Sequence, residues 1–289
     1  MNIVVTGGAG FIGTNLVDQL NKLGHYVIVI DNYVSGNRNN HIVGVKYHDS
    51  DCRHIGRILD DEIISNGINI DAVFHLGEYS KIVPSFKGVA NIVETNMYST
   101  SKVIEYCRIN KIKLIYAGSS TKYSEDGANS SPYAFSKSKN TELIKNYGHW
   151  YDLKYSICYF YNNYGPYQDS CNDGWETVIS IFEKQKKKGL PLSIVLPGTQ
   201  RRNYTYVGDT VNGLIAAWKR DENDEYQLGS SESFSMFELA ELFECGYTLL
   251  PVRPGDRMNH SSDLEDTYNK LNWKPKYNLK KWILERNTK

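Results

Sequence analysis

MNIVVTGGAGFIGTNLVDQL, residues 1–20, decides how this chain is read. Ile3, Val4 and Val5 form a short apolar run. Gly7, Gly10 and Gly13 follow within one heptad, and an apolar pattern of helical period begins behind them. Strand, Gly-x-x-Gly-x-x-Gly and helix together seat a pyrophosphate. The first glycine permits the sharp turn, the second lets bare backbone approach the phosphates, and the third lets the helix pack close to the strand. Backbone N–H groups and the positive end of the helix then face the anion. Asp31 closes the next apolar run. It stands at roughly the 20-residue spacing where a carboxylate accepts from adenosine ribose hydroxyls. An acid there repels a 2′-phosphate and favours NAD over NADP, whereas the nearby Arg38 would suit a 2′-phosphate.

The same rhythm continues outward. Runs at 3–5, 26–30, 72–76, 114–117 and 155–159 read as short strands, mostly apolar on both faces. Helical patterns at 11–23, 55–65, 89–109 and 133–150 lie between them. Alternation of this kind means parallel strands, because a parallel connection needs a crossover. The prediction is an α/β fold, a Rossmann-like doubly wound parallel sheet, with residues 1–165 as the NAD-binding domain. Beyond Gly165-Pro166 the segments shorten and are broken by Pro191, Pro197, Pro251, Pro254 and Pro275. Residues 166–289 read as a smaller mixed α/β C-terminal substrate lobe, with a segment near 203–220 returning to flank the first domain.

Composition narrows the function classes. The 289 residues carry 33 Lys plus Arg and 33 Asp plus Glu, a net charge of zero. That balance points away from nucleic acid and membrane surfaces. The lysines among residues 184–188 end an amphipathic pattern and suit a helix C-terminus. No apolar stretch approaches the ~20 residues a bilayer requires. The five cysteines, Cys52, Cys107, Cys158, Cys171 and Cys245, form no CxxC pair. They point to neither metal nor disulfide, and to a reducing, cytoplasmic setting without a signal peptide.

Two further stretches carry chemistry. Tyr133 and Lys137 stand at i and i+4, on one helix face. A phenol of pKa ~10 is a poor base at neutral pH. A neighbouring ammonium favours the phenolate, which can then exchange a proton with a hydroxyl or carbonyl. Gly118-Ser119-Ser120-Thr121 directly follows the run at 114–117. Ligands of parallel sheets bind at the carboxyl ends of the strands, and a hydroxyl there can hydrogen-bond the reacting oxygen.

With these residues in view, the chain resembles the extended short-chain dehydrogenase/reductase family, in its branch of NAD-dependent nucleotide-sugar epimerases and dehydratases. Thr6–Gly13, Asp31-Asn32, His75-Leu76-Gly77, the serine cluster and the Tyr133/Lys137 pair carry the resemblance. It continues through Asn162-Asn163-Tyr164-Gly165-Pro166, Gln200–Val207, Arg253–Arg257 and Leu271–Pro275. It implies that Ser119, Tyr133 and Lys137 are catalytic. Phe11, Ile12, Asn32, Leu76, Gly77 and Tyr79 would line NAD, with Asp51 and Cys52 at the adenine and Lys137 also on the nicotinamide ribose. Asn162 would reach the sugar or diphosphate of the nucleotide-sugar substrate, and Arg202 and Arg257 would clamp the diphosphate, as guanidinium forks suit phosphate oxygens. Asn96 would be structural or lie near the catalytic tyrosine. Ser120 and Thr121 occupy the places of the Asp-Glu pair of sugar 4,6-dehydratases, and hydroxyls replace that acid and base poorly.

The activity implied is a UDP-glucose 4-epimerase-like inversion at C4 through a transient 4-keto sugar. Ketoreductase or dehydrogenase activity, 4,6-dehydration and a non-catalytic NAD-binding regulator are the alternatives. The resemblance also implies a homodimer, joined in a four-helix bundle by the helices at 89–109 and 133–150. Tyr159 in place of a family arginine, with Lys122 and Ser124 around Tyr123, marks a departure beside the sugar pocket.

Overall fold

Ile3, Val4 and Val5 have no exposed surface at all. A strand buried on both faces needs a layer of helices on each side, and the chain builds both. The computed structural model describes residues 1–172, 174–255 and 263–287. Its first part runs β1 (Asn2–Thr6), α1 (Phe11–Lys22), β2 (Tyr26–Asp31), β3 (Lys46–Asp49), α2 (Ile55–Asn66), β4 (Ala72–His75), α3 (Ile82–Ser85), α4 (Val89–Ile92), α5 (Ser99–Asn110), β5 (Lys113–Ser119), α6 (Pro132–Tyr151) and β6 (Tyr155–Phe160). The second part runs β7 (Asn163–Tyr164), α7 (Val178–Lys187), β8 (Leu192–Val195), β9 (Arg201–Asn203), β10 (Thr205–Tyr206), α8 (Val207–Trp218), β11 (Asp224–Leu228), β12 (Ser233–Ser235), α9 (Met236–Phe243), β13 (Tyr247–Leu250), α10 (Glu265–Leu271) and α11 (Leu279–Asn287).

Seven strands form one sheet in the order β11-β6-β5-β4-β1-β2-β3, and every pair in it is parallel. The order reverses at β1 and β4, so a crevice opens above their carboxyl ends, where the glycine turn stands. Leu16 and Leu20 of α1, Leu214 of α8 and Tyr268 of α10 share one core with Val5 and Phe74. Leu59 of α2, Ile104 of α5 and Ile144 of α6 share the opposite core with Val4 and Leu114. A third core, around Phe182, Leu192, Ile194, Leu239 and Phe243, holds the smaller lobe together.

Two strands of the large sheet, β3 and β11, lie at its edges and carry the polar sequences KYHD and DEYQL. Edge position removes the demand for apolar side chains on both faces, and with it the pattern that marks the five inner strands. The helical run at 89–109 is continuous from α4 into α5, but residues Val93–Tyr98 between them are wound as a π-helix. Asn96 sits fully buried in that wider turn. Its amide donates to the Tyr79 carbonyl at 3.0 Å and to Ser136 Oγ at 3.0 Å, and its Oδ1 accepts from Tyr79 N at 2.7 Å. It thereby ties the loop after β4 to α6.

Candidate active site

The turn between β1 and α1 leaves no room for side chains at two positions. Gly7 has a φ of +70°, and a Cβ on it would lie 2.8 Å from the Gly77 backbone. A Cβ on Gly13 would lie 2.0 Å from the Gly7 carbonyl oxygen. Strand and helix therefore touch backbone to backbone. Asp31, buried at the end of β2, braces this turn: its Oδ2 accepts from Ala9 N at 2.9 Å and its Oδ1 from Tyr33 N at 2.8 Å. Burial pushes its carboxyl above the ordinary carboxylate range, and the two backbone N–H donors pull against that. Arg38 is engaged by Asp49 and lies over the Tyr33 ring at 4.1 Å.

A cavity of about 430 Å³ runs from this turn along the carboxyl ends of the strands. Gly7, Gly10, Phe11, Ile12, Gly13, Asp31, Asn32, Asp51, Cys52, Leu76, Gly77 and Tyr79 line it, as do Ser119, Tyr133, Lys137 and Asn162. Asp51 is fixed by the Arg53 N–H at 2.8 Å and the Ser99 hydroxyl at 3.2 Å. Tyr79 packs edge-on to Trp175, ring centres 4.8 Å apart, and forms one wall. The glycine cradle and the buried carboxylate beside it fit the pyrophosphate and ribose of a dinucleotide.

At the other end, α6 delivers Tyr133 and Lys137. Ser131 caps this helix by accepting from Ala134 N at 3.1 Å, and Pro132 opens its first turn. The four-residue spacing then puts both side chains on the face toward the cavity. Ser119, the last residue of β5, accepts from the Thr121 hydroxyl at 3.0 Å and the Thr121 N–H at 3.3 Å. Lys137 Nζ donates to the Ala117 carbonyl at 2.6 Å and forms an ion pair with Glu78.

Glu78, between Gly77 and Tyr79 of the expected NAD lining, is a residue the sequence does not mark as functional. Its side chain is almost completely buried in the cavity floor. Besides Lys137 it accepts from Thr100 Oγ1 at 2.5 Å, Asn140 Nδ2 at 2.8 Å and Tyr116 OH at 3.1 Å. Burial alone would raise its carboxyl, but the Lys137 charge, His75 and these donors outweigh it and hold the group below the ordinary range. An acid following a strand that is otherwise apolar was the available signal.

Asn162 donates to the Asn203 carbonyl at 3.0 Å while facing the cavity. Arg202 is buried on β9 in the smaller lobe, where its guanidinium donates to the Arg201 carbonyl at 2.9 Å, and it is not part of the cavity lining. Arg257 lies outside the described residues. Tyr159 and Lys122, which depart from the resemblance, belong to one cluster: Lys122 pairs with Glu225 at 2.6 Å and donates to the Tyr159 hydroxyl at 2.9 Å. The Tyr159 ring fills the space beside Gly118, where a Cβ would approach it to 2.7 Å. Among the described residues no group of three or more His, Cys, Asp or Glu side chains could hold a metal ion, and no helix is long and apolar enough to cross a membrane.

The model of the NAD-dependent epimerase/dehydratase family matches residues 3–229. The chain belongs to this family. Among its enzymes, a putative UDP-glucose 4-epimerase of Methanocaldococcus jannaschii is 31% identical over 97% of this chain and 95% of that protein. UDP-glucuronic acid decarboxylase 1 of Arabidopsis thaliana is 27% identical over 98% of this chain and 68% of that protein. The solved UDP-glucose 4-epimerase of Thermotoga maritima, with UDP-glucose, superposes with a TM-score of 0.90 at 26% identity, covering 100% of this chain and 98% of that one. The cofactor of this epimerase/dehydratase-family enzyme is NAD, in keeping with its glycine cradle. Relatives with different reactions share its fold, so the fold alone does not fix its reaction.

Proposed function

We propose that the protein is an NAD-dependent nucleotide-sugar epimerase that inverts C4 through a transient 4-keto sugar. The observation that carries this reading is the convergence of Ser119, Tyr133 and Lys137 on the cavity that holds the glycine turn, with hydroxyls rather than an acid pair at Ser120 and Thr121. NAD, when bound, supplies the acceptor and later the donor of a hydride. Tyr133 takes the proton of the reacting hydroxyl as phenolate and gives it back on return. Ser119 hydrogen-bonds the same oxygen in both directions, and Lys137 keeps a positive charge beside the phenol. Asn162, facing the cavity, holds the nucleotide diphosphate, so its binding energy is spent on positioning while the sugar itself turns. Asp31 and Asn32 take the adenosine ribose, and Asp51 and Cys52 the adenine.

The test is incubation with UDP-, GDP-, CDP- and dTDP-sugars in deuterated water, with products read by NMR. A C4 epimer without added NAD and without deuterium at C5 supports the reading. Stoichiometric NADH would make the enzyme a dehydrogenase, and deuterium at C5 would indicate elimination chemistry.

The reading extends to assembly. Val89, Val93 and Ile109 along the α4–α5 helix, and Phe135 and Trp150 on α6, are large apolar side chains left exposed. Two such helices side by side are half of a four-helix bundle, and a second copy of this chain would cover them. A cytoplasmic location suits Cys52, Cys107 and Cys158, which are buried and held as neutral thiols by that burial.

A further inference from the structure

The carboxylate of Glu78 ends a chain of hydrogen bonds that starts at the Gly77 N–H, in the loop after β4. Thr6 Oγ1 accepts from Gly77 N at 3.0 Å and lies 2.6 Å from His75 Nδ1. His75 Nε2 lies 2.8 Å from Thr100 Oγ1, and that hydroxyl donates to Glu78. A hydroxyl that gives its proton to Glu78 must accept from His75, so the imidazole carries its proton on Nε2 and accepts from Thr6 at Nδ1. Every donor in the chain therefore points toward Glu78. With Tyr116, Asn140 and Lys137 added, four donors meet the roughly four lone-pair sites of one carboxylate. A buried carboxylate so completely satisfied stays ionised.

Titratable groups of β4, β5, α6 and one loop surround this carboxylate. β4 contributes His75, which burial lowers to about 4 and so keeps neutral. β5 contributes Tyr116, which burial and Glu78 push upward, keeping it a neutral phenol. The loop after β3 contributes Asp51 and the Cys52 thiol, which burial pushes up. α6 contributes Lys137 and Tyr133, and the α4–α5 helix contributes only the uncharged Asn96 and Thr100. Lys137 is thus the cation this carboxylate balances.

We infer that Glu78 is a positioning residue of the active site, holding the Lys137 ammonium against the Ala117 carbonyl and neutralising its charge inside the protein. It acts on Tyr133 through that lysine and through its own charge, and the inference rests on the reading of Tyr133 as the proton-transfer group. The lysine is thereby fixed in place before any ligand arrives, instead of being a free cation searching for a partner. The balanced pair also offsets the pull that an ammonium alone would exert on the neighbouring phenol.

The experiment is an NMR titration of [13Cζ]tyrosine in the full chain, with the Tyr133 signal assigned by its loss in Tyr133→Phe. Glu78→Gln keeps the shape and removes the charge. Its Tyr133 midpoint should fall by about one pH unit, a tenfold change. A second comparison, Lys137→Met against Lys137→Met/Glu78→Gln, removes the pair together and decides the matter if Glu78→Gln alone fails to fold. Adding Glu78→Gln to Lys137→Met should again lower the midpoint. An unmoved midpoint, with activity lost equally at every pH, would reduce Glu78 to a packing group and overturn the inference. The titration needs no substrate, so absence of turnover with every nucleotide sugar would sink the epimerase reading and leave this result standing.

Discussion

Replacing Gly13 by alanine sets two effects against each other, and their sizes decide the outcome. Alanine inside a helix is favoured over glycine by about 1 kcal/mol. The new Cβ, however, would meet the Gly7 carbonyl oxygen at 2.0 Å, Gly8 Cα at 2.8 Å and the Gly7 carbonyl carbon at 2.9 Å. Carbon and oxygen make weak contacts at ~3.3 Å or more, so turn and helix must part by more than about 1 Å. All three obstacles are backbone and cannot swing aside. Overpacking of this kind costs about 1–3 kcal/mol, enough to cancel the propensity gain and leave a net loss of up to about 2 kcal/mol. Moving the Gly7 carbonyl also disturbs the bond it accepts from Gly10 N at 3.2 Å. The amides aimed at the phosphates then lose alignment. One charge-assisted hydrogen bond is worth about 1.5–3 kcal/mol, so the NAD dissociation constant should rise about ten- to a hundredfold. The assay is calorimetric titration of the apoprotein with NAD beside a thermal melt. Gly24→Ala serves as the control: that glycine has φ +80° with nothing within 4 Å of its Cβ. Its substitution should cost stability through backbone strain alone and leave NAD affinity unchanged. Wild-type affinity in Gly13→Ala, or a loss no greater than that in Gly24→Ala, would show that the backbone contact at Gly13 does not shape the NAD site.

Two further outcomes follow from the same structure. Burial alone would raise the Glu225 carboxyl, but Lys122, Tyr159 and Lys145 together lower it to about 2. A folded-state value below the unfolded 4.5 contributes stability above pH 4.5 that is lost as pH falls toward 2, at most about 3 kcal/mol. Urea unfolding should therefore find Glu225→Gln destabilised at pH 7, with the gap to wild type narrowing as pH drops below 4.5. Val93→Glu and Phe135→Glu place charge on the exposed apolar face of the two long helices and should convert the proposed dimer to monomer in sedimentation or light scattering, with the far-ultraviolet spectrum unchanged.

The centre of the fold was legible and its margins were not. Ile3–Val5 and Leu114–Ala117 announce themselves because a parallel strand with helices on both faces must be apolar on both. Lys46–Asp49 and Asp224–Leu228 escape that rule at the edges of the sheet, where a polar strand loses nothing. Gly7 and Gly13 are legible from spacing alone, since each answers a steric constraint local to one turn. Glu78 could not be assigned a role, because the residues that make its burial tolerable, Thr100, Tyr116, Asn140 and Lys137, lie on three other elements far along the chain. Burial of a single acid is a tertiary property, and only the assembled donors reveal it. Lys122 and Tyr159 are similar: each looks like a loss beside the sugar pocket, and together with Glu225 they form one compensated cluster.

In the proposed reaction one cavity moves a hydride off a sugar carbon and returns it to the other face, with Tyr133 carrying the proton. The most direct measurement supplies a nucleotide sugar deuterated at C4 to wild type and to Tyr133→Phe, and follows the label by NMR. A C4 epimer that keeps its deuterium without added NAD is expected, with turnover slowed about 10²- to 10⁴-fold in Tyr133→Phe, the usual worth of a positioned acid–base group. Loss of the C4 label to water, or a Tyr133→Phe variant as fast as wild type, would contradict it.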